Sequence, residues 1–167
     1  MNFPTGFPEI EKRIAAINPV DYARTRNYKS GAVTYFSPYI SRGVISTQYV
    51  YDNIVARDFP WSEIEKLVQE LAWRDYWQQV WVDKGDAINQ DLKREQEGVS
   101  NHKIPAAIVN GTTGIEAVDE AIQELKDTGY MHNHMRMYVA AITCNMAGCH
   151  WLAPAQWMYS LLLDGDW

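Results

Sequence analysis

The chain has 167 residues and is 47% apolar, enough to build a sizeable core and too apolar for a disordered chain. Its net charge of −6, with no polybasic run, excludes a protein held on DNA mainly by broad phosphate neutralisation, though not one with a local basic patch. Met1-Asn2-Phe3-Pro4 is no secretory leader, the apolar stretches are too short to span a bilayer, and Cys144 and Cys149 are too few for a disulfide framework, so a reduced, cytoplasmic protein is expected.

Residues 8–17 read as a short helix, with proline near its start and Ile10, Ile14 and Ile17 on one side. Residues 18–43, rich in Tyr, Ser, Gly and Pro, read as a long irregular connection of the kind that often carries function. Ser46 can cap a helix that runs to about residue 56. Residues 62–82 give the clearest helical pattern, with Ile64, Leu67, Val68, Leu71 and Ala72 recurring on one face. A second stripe, Glu70, Trp73, Arg74, Trp77 and Trp81, lies roughly opposite, where a plain surface helix would carry Lys and Glu. Residues 84–111 are polar and glycine-punctuated and read as a loop with a broken helix. Thr113-Gly114-Ile115-Glu116 has capping-box spacing, Ile115, Val118, Ile122 and Leu125 continue a helix, and Gly129 suits its C′ position. Two more helices are expected, over about 134–146 and from Pro154 to 161–163. Apart from a weak run at 32–36, no strand alternation is present, and there are no repeats. The fold class expected is all-α, with 1–167 as a single helical domain.

Seven Trp and ten Tyr stand beside only four Phe, and such rings combine an apolar face with a polar handle. On the aromatic stripe, Arg74 offers a planar fork for phosphate or carboxylate, and Trp73 and Trp77 could stack a flat ring. The alternative is a helix–helix interface with Glu70 and Arg74 as an ordinary i,i+4 pair. Tyr130-Met131-His132-Asn133-His134-Met135-Arg136 holds an H-x-H, but no further ligands have zinc-finger spacing, so no metal is expected. Thr34-Tyr35-Phe36-Ser37-Pro38-Tyr39 puts hydroxyls where they could cradle phosphate, or merely form a turn before a proline. Asp164-Gly165-Asp166 reads locally as a turn after a helix. No P-loop, dinucleotide fingerprint or nucleophile elbow occurs.

Taken in order, several stretches resemble the FAD-binding domain of the photolyase/cryptochrome family. They are Phe36-Ser37-Pro38-Tyr39 with Gly43-Val44-Ile45-Ser46; Glu70-Leu71-Ala72-Trp73-Arg74-Asp75-Tyr76; Thr113-Gly114 with Val118-Asp119; Thr128-Gly129-Tyr130-Met131-His132-Asn133 with Arg136-Met137; and Asp164-Gly165-Asp166. The resemblance implies a helical bundle that holds a folded FAD. It assigns Tyr22, Thr34, Ser37 and Arg74 to the phosphates and ribose, and Trp77 to the same cofactor pocket. Asn133 and Arg136 would approach the flavin, Arg136 would pair with Asp164, and Asp166 would accept from the ring N–H. Glu70 and Trp73 would contact a flipped pyrimidine dimer in damaged DNA, and Trp151 matches the middle member of a tryptophan chain that photoreduces FAD.

Some positions depart from the family pattern. His134 stands where many members have Arg, Val33-Thr34 where they carry Thr-Ser, and residues 84–111 offer no outer tryptophan. No α/β antenna domain is expected before residue 20. Trp167 reads as the first residue of a further helix, so the chain looks truncated within its own site, which could leave it without FAD and prone to self-association. Three functions follow as expectations: light-driven repair of cyclobutane pyrimidine dimers, a flavin photoreceptor or redox flavoprotein without repair, and a cofactor-free helical interaction module.

Overall fold

Helices dominate the computed structural model, which describes residues 3–166; among these there is no strand, and an isolated β-bridge joins Asn101 to Cys149. Trp167, expected to open a helix, lies outside the described residues. The chain divides into two compact units, Met1–Asp83 and Lys84–Trp167.

The first unit holds α1 (Phe7–Ala15), α2 (Pro19–Thr25), α3 (Ser37–Ser41), α4 (Thr47–Val55) and nearly all of α5 (Trp61–Lys84). Its core is built from apolar pairs one turn apart: Ile10 and Ile14 from α1, Val50 and Ile54 from α4, Ile64 and Leu67 from α5. Phe36, Tyr39 and Ile45 join them from the connecting segments. One expectation needs correction here. Residues 18–43 are not a structureless connection, because Asn18 caps α2 by accepting from the N–H groups of Val20 (3.0 Å) and Asp21 (3.1 Å), with Pro19 in the first turn. The weak 32–36 run forms no strand, because Tyr35 has φ 56°, a left-handed backbone that breaks extension. Ser46 does cap α4, accepting from Tyr49 N–H at 2.9 Å.

The second unit holds a 3₁₀ turn (Gly85–Asn89), α6 (Ala106–Asn110), α7 (Glu116–Thr128), α8 (Asn133–Ala141) and α9 (Leu152–Leu161). Its core is Ile108, Val118, Ala121, Ile122, Leu125, Met131, Val139 and Leu162. The capping box over 113–116 does not form. Instead Asp119 reaches back and accepts from Thr113 N–H (2.8 Å), Thr113 Oγ1–H (2.6 Å) and Gly114 N–H (3.0 Å), and α7 starts at Glu116. Gly129 closes α7 with φ 71°. The helix expected over 134–146 widens into a π turn at Ile142–Met146, where Ala147 N–H donates to Ile142 at 3.0 Å and Thr143 Oγ1 turns back onto Val139 O at 2.7 Å. Cys149 lies beyond this turn, fully buried, and both cysteines are free, with burial pushing their thiols up. No helix among the described residues is long and apolar enough to cross a membrane.

Candidate functional site

The outward stripe of α5 is aromatic in space as well as in sequence. Trp73 and Trp77 are 53% and 57% exposed, and their rings stack 6.5 Å apart at 24°. Tyr76 stands edge-on to both, at 5.6 and 5.2 Å. The three- and four-residue steps of one helix put these rings side by side, and Trp81 extends the exposed row. Glu70 is engaged by Lys66 one turn back (3.1 Å) and by Arg26, the residue that follows α2 (3.6 Å). Arg74 turns the other way, donating to Ser41 Oγ and to the Ser37 carbonyl (3.5 Å), which ties α5 to α3. Asp75 accepts from Thr47 Oγ1 at 2.8 Å.

Tyr22 and Thr34 line a cleft of about 400 Å³ that also takes in Arg13, Asn18 and Asp21. Burial, helped by the Glu70 charge and partly offset by Arg26, pushes the Tyr22 phenol up to about 12. The hydroxyl therefore stays protonated and remains a donor near neutral pH. Arg26 lies over the Tyr22 ring at 5.9 Å. The side-chain hydroxyls of Tyr22, Thr34 and Ser37 are half-buried and have no hydrogen-bond partner among the described residues. Half-buried donors of this kind suit anionic oxygens. Beside Thr34, Tyr35 holds a left-handed backbone with φ 56°.

In the second unit, Arg136 is the centre of a polar knot. Its Nε donates to Met131 O (2.8 Å) and its Nη2 to both oxygens of Asp164 (2.9 and 2.8 Å), whose side chain is only 4% exposed. The Tyr130 ring lies 5.9 Å from the guanidinium carbon. Asp164 is delivered by the segment after α9, where Leu163 N–H donates to Gly129 O at 2.8 Å. Asn133, one turn before Arg136 on the same face of α8, is exposed, as is Asp166. His132 caps α8 by accepting from His134 N–H (3.2 Å), which gives the H-x-H pair a local structural task. No group of three or more His, Cys, Asp or Glu suited to a metal occurs among the described residues. Asn133 and Arg136 share one face of α8, a carboxamide beside a fixed cation, a pair of the kind that could meet carbonyl oxygens.

Trp151 is bound as well as packed. Its indole N–H donates to Asp91, and its backbone N–H donates to Gln96 Oε1 at 2.9 Å. Asp91, Gln96 and Ser41 are partners that sequence spacing missed. Ser41 lies one turn along α3 from Ser37 and could have been found by that step. Asp91 sits 60 positions from Trp151 in a polar loop and leaves no local signal.

Residues 67–167 match the model of the FAD binding domain of DNA photolyase. A zebrafish (Danio rerio) cryptochrome DASH is 32% identical over 153 residues, covering 87% of this chain and 29% of the relative. A deoxyribodipyrimidine photo-lyase of Streptomyces griseus is 32% identical over 136 residues, covering 81% and 30%. The chain thus spans under a third of the length of these relatives. The crystal structure of a Synechocystis cryptochrome superposes with a TM-score of 0.86 at 26% identity, covering 99% of this chain and 37% of that one. With the domain model matched over more than half of its length, the chain belongs to the photolyase/cryptochrome family, in the part that forms the helical FAD-binding domain.

Proposed function

We propose that the chain binds FAD and serves light-driven electron transfer for the repair of cyclobutane pyrimidine dimers in DNA. The observation that carries this reading is the Arg136–Asp164 knot: an arginine held by Met131 O and a buried carboxylate is a rigid positive charge beside an exposed amide and carboxylate. FAD, when bound and reduced, supplies the electron under light, and the protein supplies placement and electrostatics. Arg136 stabilises negative charge on the reduced ring, Asn133 and Asp166 orient that ring by its polar edge, and Trp151 conducts the electron that reduces it. Tyr22, Thr34, Ser37 and Arg74 hold phosphate and ribose oxygens, and Trp77 closes the cofactor pocket. Glu70 and Trp73 meet the flipped dimer, Trp73 by stacking and Glu70 by accepting from base N–H groups.

The test is FAD titration of the purified chain followed by blue-light repair of an oligonucleotide with one thymine dimer. Retained flavin absorbance, lost in Arg136→Ala, supports the cofactor reading, and a protein that takes up no FAD overturns it. A second reading, a flavin photoreceptor or redox flavoprotein without repair, is favoured by identity to a cryptochrome DASH equal to that with a photo-lyase. Flavin uptake with photoreduction but no dimer splitting selects it. A third, a cofactor-free interaction module, draws on the exposed Trp73–Trp77 stack. It predicts concentration-dependent self-association that Trp77→Ala abolishes.

A further inference from the structure

We propose that Asp91 is the base that takes the indole proton of Trp151 when Trp151 gives up an electron, so that proton transfer locks the separated charges. The proposal rests on the reading above in which Trp151 passes an electron to light-excited, protein-bound flavin. It goes beyond that reading by naming where the proton goes.

The geometry is specific. Trp151 Nε1–H donates directly to Asp91 Oδ1. The carboxylate is aimed by one other donor and lies close to an imidazole. Gln96 N–H donates to its Oδ2 at 2.9 Å, and His150 Nε2 lies 3.6 Å from Oδ1. His150 Nδ1 accepts from Leu152 N–H at 3.4 Å, so the ring turns its Nε2 toward Asp91. Gln96 seats both partners, because its side chain accepts from Trp151 N–H (2.9 Å) and donates to Cys149 O (3.0 Å). Around it, Ser100 and Asn101 N–H groups donate to Gly148 O (2.8 and 3.2 Å), and His150 N–H donates to Asn101 O (2.9 Å). The loop carrying Asp91 is thereby fastened to the turn carrying Trp151. The hydrogen bond from the indole, followed by that from Gln96 N–H, holds the Asp91 carboxyl below the usual carboxylate range, so it is ionised; the largest part of that pull comes from the indole N–H itself and ends when the proton moves.

A neutral indole N–H is essentially non-acidic, and a backbone carbonyl would satisfy it as well as a carboxylate does. Removal of one electron makes the same N–H far more acidic, bringing it into the range of a carboxylic acid. At that moment a carboxylate already in hydrogen-bond contact becomes a general base that needs no diffusion. The balance is simple. One electron leaves the Trp151 ring for the flavin, the Nε1–H bond breaks, an O–H bond forms at Asp91, and a neutral indolyl radical remains. The Asp91 side chain is 19% exposed, so water can relieve it of the proton. Electron return then requires a proton as well, which slows recombination. Asp91 thus acts through Trp151, as a positioning residue and proton acceptor.

Flash photolysis of the FAD-loaded protein tests this, following the absorption of the tryptophan radical in light and heavy water. The wild type should show the neutral radical, with a solvent isotope effect on its appearance. Asp91→Asn keeps an oxygen that can accept the hydrogen bond but loses the basicity. It should leave the cationic radical in view and slow deprotonation by roughly 100-fold, the low end of what a positioned base contributes. Asp91→Glu should restore the neutral form. Radicals of the same form and lifetime in wild type and Asp91→Asn overturn the proposal and leave the Trp151 reading standing. No tryptophan radical in the wild type overturns both. A flavin-free readout is the NMR signal of the Trp151 indole N–H, identified by its loss in Trp151→Phe. It should keep its low-field position in Asp91→Asn and lose it in Asp91→Ala, and an indifferent signal removes the hydrogen bond and the proposal with it.

Discussion

Arg136 shows how one side chain converts a local sequence into a site. Its fork closes on a backbone carbonyl five residues back and a carboxylate 28 residues ahead, and both contacts leave the guanidinium immobile. Removing it takes the charged partner from Asp164, whose side chain is only 4% exposed. Arg136→Ala should therefore lower unfolding stability by about 3 kcal/mol, the low end for breaking a buried pair. The double change Arg136→Ala with Asp164→Ala should recover part of that loss in urea melts, because the buried carboxylate that lost its guanidinium is removed with it. The Arg136–Asp164 contact was legible only through the resemblance, since nothing in D-G-D distinguishes a partner from a turn. Tyr22 gives a second check at this scale. Its phenolate absorbance, isolated by difference against Tyr22→Phe, should rise near pH 12, about two units above the ordinary tyrosine value. Burial causes that displacement, so it should persist in high salt, where the Glu70 contribution is screened.

At the scale of elements, periodicity found the long helices and residue chemistry found several of their ends. The two-sided pattern of α5, the Ser46 cap and the Gly129 stop were all written in short-range sequence. The start of α7 was not, because Asp119 competes for the same donors as the anticipated capping box and wins with two oxygens. The π turn after α8 and the short helices α2 and α3 were missed because each is set by tertiary contacts or by too few residues for a period to show. Two outcomes follow. Asp119 is held below its usual range by the Thr113 hydroxyl, so its contribution to stability is present above the unfolded carboxylate value and lost as pH falls through the folded one. Urea midpoints should drop between neutral and acid pH, and the drop should be smaller in Asp119→Asn. At the other end of α7, a side chain at Gly129 would meet Leu163 Cγ at 2.6 Å on a backbone with φ 71°. Gly129→Val should cost about 2 kcal/mol through that strained conformation alone. It should also weaken FAD uptake, because Leu163 N–H anchors the segment that carries Asp164.

On the scale of the whole molecule, charge and aromatic content pull a nucleic-acid reading in one direction. A chain with net charge −6 has no broad basic surface for phosphate neutralisation, and α5 exposes Trp73, Tyr76, Trp77 and Trp81 in a row. If damaged DNA is the substrate, a stacked base must supply what counterion release does not. Binding to a dimer-containing single strand should then depend weakly on salt, with a log–log slope no steeper than about −2, equivalent to roughly three phosphates. Trp73→Ala should cost about 1–3 kcal/mol of affinity, the value of one base–aromatic stack, and should leave that slope unchanged. Fluorescence anisotropy over a salt series measures both numbers at once. A steep slope with an indifferent Trp73→Ala would place the affinity in cations instead, and would remove α5 from the DNA-binding reading without touching the case for the flavin.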